Sequence, residues 1–165
     1  MAHRQKEKAQ TAGNQGFTLI EVIAVLIVLG VLGVVIVSQM SSTSMFSVKS
    51  QADALKGHIR YAQTMAVGTG VIWGINISHS KQYSLFRDND VTKIVVLPGA
   101  DTNPIVLDSN GPSLSTGIIR FGDKGRPVDS AGNAITTTPA ATITVSMAGT
   151  PSETILVTRN TGFIP

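Results

Sequence analysis

The sequence predicts an α+β protein in which a long N-terminal helix packs on a C-terminal antiparallel β head, built from two sheets. Three observations predict this fold class. A long apolar run comes first, and it continues into a pattern that is apolar on one side of a helix. Beyond Gly70 the chain changes to short alternating segments separated by turn-forming clusters. A chain of 165 residues has room for about one domain of ordinary size.

The apolar run covers residues 17–37, and Thr18 and Glu21 are its only polar side chains. A helix of that length would extend about 30 Å, the thickness of the hydrocarbon core of a bilayer. We therefore predict a transmembrane and assembly helix over residues 17–38. The Glu21 carboxylate would cost about 2.5 kcal/mol or more near mid-membrane, so we expect a partner group to pair with it.

A second helical segment, residues 39–69, is apolar on one side only. Residues at alternating spacings of three and four form a stripe that is expected to pack on the head: Met45, Val48, Ala52, Leu55, Ile59, Ala62 and Ala66. The helical pattern continues from the apolar run to about Val67. Gly68 and Gly70 then indicate the end of the helix, because glycine is the usual residue there.

Seven short segments within residues 70–165 are predicted to be strands. They are residues 71–77, 82–87, 93–97, 105–107, 117–121, 141–147 and 154–158. Clusters such as Ser78-His79-Ser80 and Asp88-Asn89-Asp90 predict turns between them. Short strands joined by turns favour antiparallel sheets, packed on each other and on the helix.

The net charge of +3 arises largely from the N-terminal segment, where Arg4, Lys6 and Lys8 are opposed only by Glu7. Without residues 1–16 the balance is close to neutral, so the composition is a weak argument for a nucleic-acid partner. Positive charges before an apolar run are retained in the cytoplasm, which places the rest of the chain outside. The chain has no cysteine, which excludes disulfides and thiolate metal sites.

The basic leader, the sequence Gly16-Phe17-Thr18-Leu19-Ile20-Glu21 and the apolar helix together resemble the type IV prepilin signal. Pilins, minor pilins and type II secretion pseudopilins share that signal. The resemblance implies a leader, residues 1–16, that a prepilin peptidase removes by cutting after Gly16, and N-methylation of Phe17. It also implies that Glu21 pairs with the N-terminus of a neighbouring subunit.

The resemblance further implies a single-pass protein of the bacterial inner membrane that assembles into a periplasmic or extracellular fibre. An ordinary secretory signal peptide or signal anchor is the alternative. An apolar region of a signal peptide is usually about 7–15 residues and does not begin with an acidic residue, so the prepilin interpretation is preferred.

The head extends the resemblance over residues 55–165. Ala62-Gln63 and Ala66-Val67 lead into a strand with Trp73, and Phe121-Gly122-Asp123-Lys124-Gly125 and Thr161-Gly162-Phe163-Ile164 follow later. These features are similar to the small pilin-like proteins grouped with pseudopilin H of type II secretion and the minor pilin FimT. A structural subunit with other pilins or pseudopilins as partners is implied. The pilus and the secretion system both remain open.

The sequence contains no phosphate-binding glycine loop, zinc-binding helix or nucleophile motif. His3, His58 and His79 are isolated, and a solvated or partly packed side chain is the better interpretation of His58. We therefore expect no enzymatic activity, no catalytic residue and no cofactor. Asp88-Asn89-Asp90 offers oxygen donors of the kind that suit Ca²⁺, but a hairpin turn uses the same residues and is preferred, so no metal site is predicted.

One basic group in the head is a candidate for DNA contact: Arg120, Lys124, Arg126 and Arg159. Some FimT-like proteins bind DNA during uptake, so the resemblance offers a DNA-binding minor pilin as the alternative function. Asp123 and Asp129 interrupt the basic group, and few aromatic residues lie among the cations. A solvated loop is therefore the preferred interpretation.

Overall fold

The computed structural model describes residues 17–100 and 102–165, without the side chains of residues 33–42. The chain divides after Gln39 into two units, and the second unit is Met40–Pro165. The described residues form one helix, α1 (Leu19–Thr69), and eight strands. The strands are β1 (Trp73–His79), β2 (Gln82–Arg87), β3 (Asp90–Val95), β4 (Ile105–Val106), β5 (Ser113–Leu114), β6 (Gly117–Phe121), β7 (Ala141–Met147) and β8 (Thr150–Val157). The predicted leader, with Gly16 and His3, lies outside the described residues.

Helix α1 begins and ends two residues later than the sequence pattern predicted. Thr18 accepts the first hydrogen bonds of the helix, so the helical residues start at Leu19. At the other end Gly70 has a φ of 70°, and its amide donates to the Ala66 carbonyl oxygen at 3.0 Å. A glycine in this left-handed conformation is a common helix stop. No helix among the described residues is both long enough and apolar enough to cross a membrane.

The predicted apolar stripe of α1 forms one side of the core of the unit Met40–Pro165. All of its residues from Val48 to Ala66 are buried, together with inward-facing residues of both sheets. The exception is Met45, which is 56% exposed, so its predicted packing was wrong. Met45 lies at a small cleft with Pro151 and Glu153. This cleft is near the end of the β7–β8 pairing, so few residues of the sheet cover Met45.

The strands form two antiparallel sheets, as predicted. The first sheet has the order β3-β2-β1-β6. Strand β4 also pairs with β2, at Gln82 and Tyr83, whereas β3 pairs with the other end of β2. The second sheet has the order β5-β7-β8. The register sets apolar partners opposite each other, as in the pairs Ile75↔Leu85 and Ile143↔Ile155. Both sheets contribute to one core with α1, which confirms the α+β class and the two-sheet head.

Several strand limits differ from the predicted ones. Strand β1 continues to His79, which pairs with Gln82, so the turn predicted at 78–80 lies one to two residues later. Strand β8 begins at Thr150 because pairing with β7 extends it through polar residues and Pro151. Strand β3 covers Asp90–Val95 in place of 93–97, and the two-residue strand β5 was not predicted. Two residues are too few to show a period.

Candidate functional site

The N-terminus of α1 is closed by a hydrogen-bonded cap. The Glu21 amide donates to the Thr18 carbonyl oxygen at 3.1 Å and to Thr18 Oγ1 at 3.4 Å. Threonine followed three residues later by glutamate is the sequence of a capping box, which satisfies free amides of the first helical turn. The carboxylate of Glu21 also lies where the helix dipole favours negative charge. This role of Thr18 was not predicted, although its spacing from Glu21 indicates it.

Every described side chain of residues 17–32 is exposed, and most of them are apolar. Phe17 is 84% exposed at the start of this segment. Glu21 lines a groove of about 290 Å³ whose other walls are Phe17, Val22, Val25 and Leu26. A carboxylate set in an apolar groove can accept charge-assisted hydrogen bonds from an ammonium group, and these are stronger where water is excluded.

Arg120 is engaged within the protein. Its Nε donates to Asn89 Oδ1 at 2.9 Å, and its guanidinium carbon lies 5.6 Å from the centre of the Phe86 ring. Asn89 in turn donates its side-chain amide to the Ser130 carbonyl oxygen at 2.8 Å. Arg120 therefore covers Phe86 and connects β6 to two loops. The sequence shows that Arg120 is charged, but it does not indicate that Asn89 and Phe86 are its partners.

The position of Phe86 depends on Gly74. Gly74 lies opposite Phe86 on one side of β1 and opposite Arg120 on the other. A Cβ atom at Gly74 would lie 2.2 Å from the Ile119 carbonyl oxygen and 2.5 Å from Phe86 Cζ. Only glycine leaves room for the ring to lie across β1, beneath the Arg120 guanidinium.

Arg159 is also engaged, at another place. Its Nη1 donates to the Thr136 carbonyl oxygen at 2.8 Å and so holds the segment after β8 to the loop between β6 and β7. The hydrogen bonds of Arg120 and Arg159 each join residues more than twenty positions apart in the chain, so the sequence does not identify either acceptor. Two of the four candidate DNA-contacting side chains thus donate hydrogen bonds within the protein itself.

Lys124 and Arg126 lie together on the glycine-rich turn after β6. The turn is closed by the Gly122 amide, which donates to the Arg126 carbonyl oxygen at 3.0 Å. Gln63 on α1 fixes the turn, because its Nε2 donates to the carbonyl oxygens of Gly125 at 2.7 Å and Thr161 at 2.8 Å. This clamping function of Gln63 was not predicted from the sequence.

The two cations line one cleft of about 460 Å³. We call it the Lys124–Arg126 cleft, and its other lining residues are Gly70, Ile72, Gly122, Asp123, Val128, Gly132, Asn133 and Ala134. In the described part of the chain, neither the Lys124 ammonium nor the Arg126 guanidinium has a hydrogen-bond or ion-pair partner. The cleft therefore offers two positive groups that the protein does not use internally.

The Asp88-Asn89-Asp90 segment is a hairpin turn, as preferred. Asp88 and Asn89 have φ values of 57° and 60°, which is the left-handed conformation of a tight β-hairpin turn. Asp88 pairs with Lys93 at 3.2 Å. Hydrogen bonds from the Thr92 side chain and amide hold the pKa of Asp90 below its usual value. Across residues 17–100 and 102–165, no group of three acidic or histidine side chains could hold a metal ion.

His58 is half-buried on α1 and forms a hydrogen bond of 2.9 Å between its Nδ1 and the Tyr83 hydroxyl. Burial lowers the pKa of His58 from 6.5 and raises the pKa of Tyr83 to about 12. Both groups are therefore neutral near pH 7 and serve as a polar pair at the edge of the core. The partly packed interpretation of His58 matches this arrangement.

Comparison with known proteins finds one sequence match at the N-terminus and two similar solved structures. Residues 11–37 match the description "Prokaryotic N-terminal methylation motif". Two crystal forms of the type IV minor pilin FimU from Pseudomonas aeruginosa strain PAO1 are similar to this chain. One has 15% identity and a TM-score of 0.47, covering 72% of this chain and 86% of FimU. The other has 15% identity and a TM-score of 0.45, covering 71% of this chain and 90% of FimU.

The comparison with curated proteins gave no match. The matched motif includes Gly16, Phe17 and Glu21, which belong to the predicted prepilin signal. Residues 11–37 therefore carry a prokaryotic N-terminal methylation motif, and the predicted resemblance of this chain to the type IV prepilin-like family is confirmed.

Proposed function

We propose that this chain is a pilin-like structural subunit, a minor pilin or a type II secretion pseudopilin. A prepilin peptidase removes residues 1–16 by cutting after Gly16, and the new N-terminal Phe17 is methylated. The N-terminal helix then assembles with those of other subunits into a cell-envelope fibre. The match of residues 11–37 to the methylation motif is the observation that carries this proposal.

The exposed apolar segment 17–32 supports assembly. Contiguous apolar surface of this extent is rare on monomeric proteins and marks a surface that lipid or another protein covers. In the proposed cycle the segment lies in the bacterial inner membrane as part of a single span, with the head outside the cytoplasm. It then moves into a fibre, where helices of neighbouring subunits replace the lipid.

Glu21 supplies the specific contact in this assembly. A carboxylate and an ammonium about 4 Å apart attract each other by about 4 kcal/mol at an effective dielectric constant near 20. The proposed partner is the N-terminal amine of Phe17 on a neighbouring subunit. Leaving either charge buried without its partner is costly, so the pair would fix the axial register of the subunits.

The first experiment is intact-mass analysis of the full chain expressed together with a prepilin peptidase and its fibre partners. We expect a mature protein that lacks residues 1–16 and carries one additional methyl group. A chain that retains its leader in the presence of an active peptidase would refute the proposal.

The second experiment compares incorporation of Glu21→Gln into purified fibres with that of Glu153→Gln, a control in β8 of the head. We expect Glu21→Gln to be processed but excluded from fibres, because the pairing charge is lost. The control should enter fibres as the wild type does. If Glu21→Gln enters fibres as well as the wild type does, the proposed charge pairing is refuted, and the result on processing still stands.

The alternative is a DNA-binding minor pilin, which the unpaired Lys124 and Arg126 favour. Arg120 and Arg159 already donate hydrogen bonds within the protein, so fewer donors remain for phosphates. This function predicts binding that weakens steeply with salt and that the double substitution Lys124→Ala with Arg126→Ala abolishes. A gel shift of the full chain at several salt concentrations tests it, with Lys49→Ala as a control for loss of one exposed charge.

A further inference from the structure

The described cations of the head divide into those with partners and those without. Arg60, Lys81, Arg120 and Arg159 donate to carbonyl or amide oxygens of the protein, and Lys56, Arg87 and Lys93 pair with aspartates. Among the residues that the structure describes, Lys49, Lys124 and Arg126 have no such partner. Lys49 is exposed on α1 at the separate small cleft of Met45, whereas Lys124, which is also exposed, and Arg126 line one cleft together.

The charge of the Lys124–Arg126 cleft suits a single anionic group. Asp123 lines the same cleft and opposes one of the two positive charges. A net single positive charge attracts one carboxylate, whereas binding of a nucleic-acid backbone requires several cations in a row. A carboxylate can also accept two donors side by side from a guanidinium.

The walls of the cleft suit a short apolar group attached to that anion. Ile72, Val128 and Ala134 contribute apolar surface, and the volume of about 460 Å³ lies within the range of small-ligand sites, about 300–1,000 Å³. The polar donors therefore lie beside apolar surface in the same cleft.

The cleft is held in shape by contacts on both sides. On one side Gln63 fixes the Gly125 carbonyl oxygen. On the other, the Asp129 carboxylate accepts hydrogen bonds from the amides of Ala131 at 2.9 Å and Asn133 at 2.8 Å. The bond from Asn133, and then that from Ala131, lower the pKa of Asp129. A preformed site loses less entropy when a ligand binds.

We propose that the Lys124–Arg126 cleft binds a carboxylate attached to a short apolar group. The source is either a free carboxylic acid or an aspartate or glutamate side chain of a neighbouring subunit. All of the lining residues lie within the unit Met40–Pro165, so binding of a free acid does not depend on the proposed N-terminal processing, whereas binding of a subunit carboxylate rests on the proposed assembly.

The first arm of the test titrates N-acetylvaline into the isotope-labelled full chain in nonionic micelles and records amide NMR shifts. N-acetylvalinamide, which has the same shape without the charge, is the matched ligand control. We expect saturable shifts at residues 122–126 and 132–134 with the acid only. Lys124→Gln and Arg126→Gln should each weaken binding about two- to fivefold, the loss expected for one partly exposed ion pair, and Lys49→Gln should not.

The second arm treats the concentrated protein with a water-soluble carbodiimide. An activated carboxylate that lies against Lys124 Nζ forms an amide bond with it, and the activating group leaves as the urea. An intermolecular link at Lys124 assigns the ligand to a subunit carboxylate, and saturable binding of N-acetylvaline alone assigns it to a free acid. Either result supports the proposal.

Two outcomes overturn it. One is the absence of both acid-specific shifts and a Lys124 cross-link. The other is salt-sensitive binding of a short single-stranded oligonucleotide at residues 122–126, without acid-specific shifts. The latter would assign the cleft to nucleic acid.

Discussion

Replacing Gly74 by alanine tests the packing that places the Phe86 ring beneath Arg120. The added Cβ would lie 2.2 Å from the Ile119 carbonyl oxygen, and that oxygen belongs to β6, the paired neighbour of β1. The Phe86 ring would also be too close, at 2.5 Å. Overpacking typically costs about 1–3 kcal/mol, and we expect about 3 kcal/mol here because both a backbone atom and a buried ring must move.

The expected change in melting temperature follows from the size of the folded unit. For the unit Met40–Pro165, 1 kcal/mol corresponds to a shift of about 4 °C, so Gly74→Ala should melt about 10–12 °C below the wild type. Trp73, the only tryptophan, adjoins the site and provides a fluorescence signal for unfolding. Gly117→Ala on β6 is the matched control, because a Cβ there meets nothing within 4 Å, and it should melt within about 2 °C of the wild type. A melting temperature of Gly74→Ala equal to that of the control would refute this reasoning.

Two other predictions concern α1. Gln63→Ala removes two hydrogen bonds to backbone carbonyls and should lower the free energy of unfolding by about 1–3 kcal/mol, with faster amide exchange at Gly125 and Gly162. Thr64→Ala, which loses only a bond within the helix, should leave that exchange unchanged. Because burial holds the pKa of His58 below 6.5, its stabilising effect is complete above that pH and is lost as the pH falls through the folded-state pKa. Thermal melts from about pH 7 to about pH 5 should therefore show a smaller loss of stability in His58→Gln than in the wild type, and equal losses would contradict this role.

The fold could be predicted where the chain repeats a pattern. The stripe from Val48 to Ala66 predicted which side of α1 is buried, because a helix returns to the same side every three to four residues. The ends of β2, β6 and β7 were also correct, since apolar alternation stops there at turn residues. Strands β5 and β8 were predicted less well because pairing with β7, and not their own composition, makes those residues extended.

The candidate site was less predictable than the fold. The sequence grouped Arg120, Lys124 and Arg126 by their proximity along the chain, and Arg159 was added to them by its charge. The structure separates them by what their side chains contact: Arg120 and Arg159 have acceptors within the protein, and Lys124 and Arg126 line a cleft. A backbone carbonyl such as that of Thr136 has no signature in the sequence, so the choice of acceptor appears only in three dimensions.

The cap at Thr18 and Glu21 has a consequence for mutagenesis of the N-terminal motif. Alanine at position 21 would delete both a charge and a side chain that suits the third position of a capping box, so a defect could arise from a frayed helix end. Glutamine is also found at that position of such boxes, and it retains the shape of glutamate. Glu21→Gln therefore changes electrostatics alone, and Thr18→Ala weakens the helix start alone. Comparing the two variants distinguishes a subunit that fails to be recognised from one that begins its helix badly.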